Sequence, residues 1–190
     1  MPYKRILLEV GSFYHVYNRG NDQQNIFFDR ENYLYFLRLT KQHLIENGVD
    51  IVAYCLMPNH YHFLVYLREN KLSNAMRSLS LAYTMAINKR FDRSGVLFKG
   101  RFQSILVDND DYLLHLVRYI HLNPVKARFV KHPREWEFSS YAEYAGLRQG
   151  TLPTTEYVRM QIQNELAYQQ FLEGDILPSK DNFKSLLLDD

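Results

Sequence analysis

The sequence predicts an α+β fold: a ferredoxin-like split βαββαβ plait on an antiparallel sheet, with a C-terminal helical extension. Three observations carry this. Segments with two-residue alternation and segments with helical spacing follow one another as strand, helix, strand, strand, helix, strand, helix. The second and third strands are separated by Pro58-Asn59 alone, which makes them a tight hairpin. After Gly146 the chain changes to "GLRQGTLPTT", a linker composition, dividing residues 1–146 from a linker and tail at 147–190.

Taken in order, "SFYHVYN" (12–18) alternates and is rich in β-formers, and "RGND" turns the chain after it. From Asp29 to about Asn47 the apolar residues Tyr33, Phe36, Leu37, Leu39 and Leu44 keep helical spacing. Asp29 is the expected N-cap and Asn47-Gly48 the stop. "DIVAYCLM" (50–57) and "HYHFLVYL" (60–67) are the hairpin strands. Ser73 is the expected cap of a helix to about Phe91, with Met76, Leu79, Tyr83 and Ile87 on one face. "FQSILV" (102–107) supplies a fourth strand. Asp110 then caps a helix carrying Tyr112, Leu113, Leu116 and Ile120, which Asn123-Pro124 ends or kinks. Glu156 to Glu173 reads as a further helix before an acidic end.

Composition narrows the class. No run approaches the roughly 18 apolar residues of a membrane span, and Glu9 interrupts the N-terminal apolar stretch, so no signal peptide is expected. Cys55 is the only cysteine, so no intrachain disulfide forms; a cytoplasmic location is the expectation. A net charge of +2 hides an uneven distribution. Residues 86–104 hold five basic side chains against Asp92, and residues 118–134 hold five with no acid. The tail from Glu173 to Asp190 runs the other way, with five acids and two lysines. Basic stretches with aromatic neighbours suit a polyanion, and the 15 tyrosines and 12 phenylalanines include candidates for stacking on unpaired bases.

His60 and His62 carry the sharpest chemical signal. A strand's two-residue period puts both on one face, while Tyr61, Phe63 and Val65 point to the other and fill the core. Two imidazoles so placed suit one divalent ion; two half-exposed rings near a turn, bonded to water, is the plainer alternative. The third helix offers His115, Tyr119 and Asn123 at successive i,i+4 spacings. That set fits phosphoryl transfer to a tyrosine. An ion on His60, His62 and Asn123 would polarise a phosphodiester, and Tyr119 would attack it. A free phenol ionises near pH ~10, so it needs the ion or a basic neighbour.

The segments "YHVYNRGN", "YCLMPNHYHFLV", "GVLFKGRFQSILVDNDDYLLHLVRYIHLNPVKARFV" and "WEFSSY" together resemble the single-tyrosine HUH-nuclease transposases. Within that group they resemble the REP-associated tyrosine transposases most, over about residues 12–145. No one segment decides this; the ordered set does. The resemblance implies that His60-Tyr61-His62 is the His-hydrophobic-His motif, Tyr119 the nucleophile and Asn123 a third metal ligand. It also implies Mg²⁺ or Mn²⁺ as cofactor and single-stranded DNA bearing a REP-like or other palindromic hairpin as partner. The product would be a covalent 5′-phosphotyrosine and a free 3′-OH. Relatives act either as monomers with the tyrosine in cis or as homodimers that exchange the tyrosine helix. Arg128 stands where relatives often have glycine. Arg19, Lys99, Arg101, Arg118, Lys126 and Arg128 are candidate DNA contacts. Two other classes compete. A histidine-triad hydrolase fails because its third alternating position here is Leu64. A catalytically inactive single-stranded nucleic-acid-binding plait has no need of all four of His60, His62, Tyr119 and Asn123.

Overall fold

The computed structural model describes residues 8–162 and 164–173; the predicted acidic tail beyond Glu173 lies outside them. Four strands, β1 (Phe13–Arg19), β2 (Val49–Met57), β3 (His60–Leu67) and β4 (Gln103–Val107), form one sheet in the order β2-β3-β1-β4. Every neighbouring pair is antiparallel, which is the ferredoxin-like arrangement the sequence predicts. Helices α1 (Arg30–His43) and α2 (Leu72–Arg90) cover one face. Helix α3 (Asp110–Lys126), with the short α4 (Tyr141–Tyr144), α5 (Glu156–Arg159) and α6 (Glu165–Glu173), covers the other.

The two faces are packed differently. Against α1 and α2 lie Tyr14, Val16, Tyr54, Leu56, Tyr61, Phe63 and Val65, all buried with Phe36, Leu79 and Tyr83. The hidden Phe63 side chain alone contributes about 1.5–3 kcal/mol by leaving water. Against α3 lie Ala53, Cys55, Met57 and Leu64, packed with Leu113, Leu116, Val117 and Ile120. A register shift between Ile51 and Ala53 changes which residues of β2 face which side. Before it Val49 and Ile51 point to α1 and α2; after it Tyr54 and Leu56 do, leaving Cys55 and Met57 beside His62 and His60.

Helix ends follow local chemistry, with four departures from expectation. Asp29 caps α1 as predicted: its side chain accepts from Asn32 N while the Asn32 side chain reaches back, a capping box. Ser73 does not cap α2. The helix begins one residue earlier, at Leu72, after Lys71, because Leu72 is drawn fully into the core. Asn109, not Asp110, caps α3, accepting from Tyr112 N at 2.8 Å, while Asp110 and Asp111 sit in the first turn where the helix dipole favours them. Nor does Asn123-Pro124 end α3. Proline in the last turn forfeits one backbone bond, and the helix runs on to Lys126 with Ala127 N bonded to Asn123 O. It stops at a Schellman motif, with Arg128 N to Val125 O and Phe129 N to Pro124 O, both 3.0 Å. Arg128 occupies the left-handed position of that motif, φ +61°, where glycine is at ease. Finally, the predicted helix over Glu156 to Glu173 is two helices, and Asn164 Oδ1 restarts the second by accepting from Ala167 N at 2.8 Å.

Candidate active site

The site lies between the α3-facing side of the sheet and α3 itself. Strand alternation sets His60 and His62 on this face, and their ring centroids are 5.1 Å apart, nearly perpendicular. α3 brings Asn123 Oδ1 to 3.2 Å from His60 Nε2. It also brings the Tyr119 ring edge-on to His62, at 5.4 Å between centroids. Lys126, about two turns along from Tyr119, places Nζ 4.6 Å from the centre of the tyrosine ring. Lys126 is exposed as a residue; partial desolvation of its ammonium against the protein, and after it the nearby Arg118, lowers its pKa from the usual lysine value.

Proton counting shows what the site lacks. Both ring nitrogens of His60 face oxygens: Asn59 Oδ1 at 2.7 Å and Asn123 Oδ1 at 3.2 Å. A neutral imidazole has one proton to offer. The shorter contact takes it, and lone pairs then converge from His60 Nε2 and Asn123 Oδ1, an arrangement that a cation satisfies. His62 is completely buried; its Nδ1 bonds to His15 Nε2 at 2.9 Å, and its Nε2 has no hydrogen-bond partner among the described residues. Burial first, then His15 and His60, push its pKa well below the ordinary histidine value, which keeps the ring neutral as a ligand must be. The residues therefore fit a divalent ion. Among the described residues no cluster of three or more His, Cys, Asp or Glu side chains forms a metal site, so the set here is two imidazoles and a carboxamide. Such a set mixes two borderline nitrogen donors with one hard oxygen donor, so it admits a divalent ion without selecting which one.

The hairpin turn is part of the site. Asn59, which holds His60, also receives Gly20 N on its carbonyl at 2.7 Å and donates from Nδ2 to Gln23 O at 3.4 Å. Gly20 is required there for space: a Cβ would sit 2.0 Å from the Gln24 carbonyl oxygen. Beside this loop a cleft of about 310 Å³ is lined by Arg19, Asp22, Gln23 and Lys99.

With this geometry in hand, relatives can be set beside it. Residues 10–123 match the family model described as "Transposase IS200 like". The chain belongs to the IS200-like transposase family. It is 30% identical over 103 residues to a Haemophilus influenzae protein named "Putative REP-associated tyrosine transposase", covering 48% of this chain and 58% of that one. It is 23% identical over 141 residues to the Escherichia coli REP-associated tyrosine transposase, covering 73% of this chain and 81% of that one. Its fold is similar to a solved REP-associated tyrosine transposase bound to a REP hairpin, with a TM-score of 0.65 at 19% identity, covering 80% of this chain and 97% of that one.

In this member of the IS200-like transposase family the predicted quartet His60, His62, Tyr119 and Asn123 comes together. His115 does not join it; its ring packs toward Phe171 of α6, 6.3 Å between centroids. The candidate DNA contacts separate. Arg19 and Lys99 share the cleft. Arg101 is exposed on the approach to β4, and Arg128 is exposed after α3. Arg118 donates from Nε to the Leu172 carbonyl at 3.1 Å, tying α3 to α6. Lys126 lies over Tyr119.

Sequence reading missed three residues. His15 is buried in β1 and bonded to His62. Its only signal was its place in "FYHVYN", two residues from Tyr17, which pairs with His62 across the sheet. Asn59 was legible only as a turn residue. His121 is buried in α3 between the Tyr168 hydroxyl and Ser140 Oγ, the latter at 2.7 Å; it joins α3, α6 and the segment before α4.

Proposed function

We propose that this protein is a single-tyrosine HUH endonuclease and transposase that nicks and rejoins single-stranded, hairpin-bearing DNA through a covalent 5′-phosphotyrosine. One observation carries the reading. Two elements far apart in sequence deliver His60, His62, Asn123 and Tyr119 to one spot, with a buried imidazole nitrogen left unpartnered in their midst. Names of relatives support the substrate class: they are REP-associated transposases, and the similar solved structure holds a REP hairpin.

Mg²⁺ or Mn²⁺ held by His60, His62 and Asn123 would supply Lewis-acid polarisation of the phosphodiester and offset its developing charge. The chain's own residues do the rest. Tyr119 Oη forms a bond to phosphorus as the bond from phosphorus to O3′ breaks; the phenolic proton passes to solvent, and the departing O3′ takes up a proton to become a 3′-OH. One phosphodiester is exchanged for another, so the step is close to energy-neutral and the strand rejoins by its reverse. The ammonium of Lys126 beside the Tyr119 ring favours negative charge on the phenol. His62 and His60 hold the reacting phosphate's side of the site on a rigid hairpin, and α3 holds the nucleophile, which is the preorganisation transfer chemistry needs. Because α3 lies on its own sheet, Tyr119 meets His62 of the same chain, which supports action in cis by a monomer.

The test is a denaturing gel of the protein with labelled hairpin-bearing single-stranded DNA, in Mn²⁺ or in EDTA, beside Tyr119→Phe. A metal-dependent shifted band absent from the variant is the expected result. Tight binding with no band across many hairpins would instead make this an inactive binding protein.

A further inference from the structure

His15 has no part in the chemistry proposed above, yet it is a costly residue to bury in a sheet. It stands in the middle of β1, opposite Leu64 on one side and Ile105 on the other, and is wholly buried. An apolar side chain would pack there without leaving polar atoms in a dry environment. Among the described residues its Nδ1 has no hydrogen-bond partner, and the one hydrogen bond its ring makes there is Nε2 with His62 Nδ1 at 2.9 Å. The two rings are nearly parallel, 18° apart in plane, with Tyr119 edge-on to both.

That single contact has a chemical consequence. Two neutral rings share one hydrogen bond, so one of the facing nitrogens carries the proton and the other accepts it. If His15 donates, His62 must carry its own proton on Nε2, and that nitrogen cannot ligate a metal. If His62 donates from Nδ1, its Nε2 presents a bare lone pair toward the site. In the first state the buried Nε2–H of His62 has no acceptor; in the second, the buried Nδ1–H of His15 has none. The unpaired donors balance, so the two arrangements are close in energy until something takes the His62 lone pair.

We infer that His15 is a positioning residue that accepts the His62 Nδ1 proton and thereby fixes His62 as an Nε2 metal ligand. It fills the place that a carboxylate or a backbone carbonyl takes behind many metal-bound histidines. A neutral ring accepts less strongly than a carboxylate and adds no charge to the site. The inference rests on the metal reading of the previous subsection, and the experiment separates the two.

Mn²⁺ affinity of the DNA-free protein is measured by the electron paramagnetic resonance signal of free Mn²⁺, for wild type, His62→Ala, His15→Phe and His15→Gln. In parallel, long-range ¹H–¹⁵N correlation of the imidazole rings, with and without Mg²⁺, reports which nitrogen of His62 is protonated. We expect wild type to bind and His62→Ala to lose binding. His15→Phe should weaken binding by roughly 10–100-fold, the usual cost of losing such a partner. His15→Gln, whose side-chain oxygen also accepts, should recover most of it. In the Mg²⁺-loaded wild type His62 should carry its proton on Nδ1. Wild type that binds no better than His62→Ala overturns the metal reading, and this inference with it. Wild-type-level binding by His15→Phe overturns the inference alone. Should His15→Phe fail to fold, the wild-type spectrum decides: a His62 Nε2–H signal in the loaded protein overturns the role given to His15.

Discussion

The two faces of the sheet are made by the same strands and do opposite things. Along β3, Tyr61, Phe63 and Val65 point into an aromatic core under α1 and α2, while His60 and His62 point into a polar pocket under α3. Strand alternation thus separates two environments at single-residue resolution: one face is apolar and aromatic packing throughout, and the other sets beside its own apolar core polar groups that stability alone would exclude. A residue and its immediate neighbour therefore answer to different selection, and substitutions on the two faces should be separable in the test tube.

The largest expected effect breaks the aromatic face. Phe63→Ala should cost about 3–5 kcal/mol in urea unfolding, leaving cleavage per folded molecule within about twofold of wild type. A cleavage loss that tracks folded protein with no excess supports the division; a much larger specific loss would mean the faces are coupled. Acid should separate the faces next. Burial pushes His15 and His121 down to about 3, so both stay neutral in the folded protein. Unfolded, they bind protons near pH ~6.5. Between those values the unfolded chain holds more protons, so stability is lost as pH falls from ~6.5 toward ~3, by up to about 1.4 kcal/mol per pH unit for each ring. The buried tyrosines of the other face, Tyr33, Tyr61 and Tyr83, are pushed upward by burial and add nothing in that range. Urea midpoints at pH 7, 6 and 5 read the slope, and His121→Gln should reduce it; an unchanged slope would place the acid sensitivity elsewhere.

A smaller effect belongs to the pocket alone. His62→Ala should lower metal-dependent cleavage at least tenfold, about 1.4 kcal/mol of barrier, across a full Mn²⁺ titration. Cleavage equal to wild type would remove His62 from the metal site. The smallest concerns the end of α3. Arg128 holds φ +61° in a motif that glycine fits. Arg128→Gly should raise the unfolding free energy by about 0.5–1 kcal/mol, the left-handed penalty relieved less the flexibility that glycine adds to the unfolded chain. A destabilised variant would show that the arginine side chain supports the turn. A parallel fall in DNA affinity would identify it as a phosphate contact.

Much of this was legible in the chain. Alternation and helical spacing located the four strands and the first three helices, because those patterns are imposed by burial on one side of each element. Asp29 announced its helix because its partner Asn32 lies three residues away, within local reach. His60 and His62 were legible because a doublet on one strand face is local as well. His15 was not: its meaning depends on pairing β1 with β3, and one histidine in an alternating strand looks like any polar residue until the register is known. His121 was hidden for the same reason, since Tyr168 and Ser140 reach it from distant segments. Pro124 misled because a proline rule written for helix interiors costs only one bond in a last turn. The bulge in β2 left no mark in "DIVAYCLM" either, where every residue after Asp50 is apolar enough for both sides.

One feature of the C-terminal layer has a temporal side. α6 grips the tyrosine helix at three levels: Phe171 beside His115, Leu172 O on Arg118, and the Tyr168 hydroxyl on His121. Translation delivers α3 first and α6 roughly 40 residues later, which at ~5–20 residues per second is a delay of some seconds. All four strands and the tyrosine helix are thus synthesised before the brace that holds them. The brace on the tyrosine helix is therefore made after the helix it braces, and α3 gains its contacts with Tyr168, Phe171 and Leu172 only once that later segment is available.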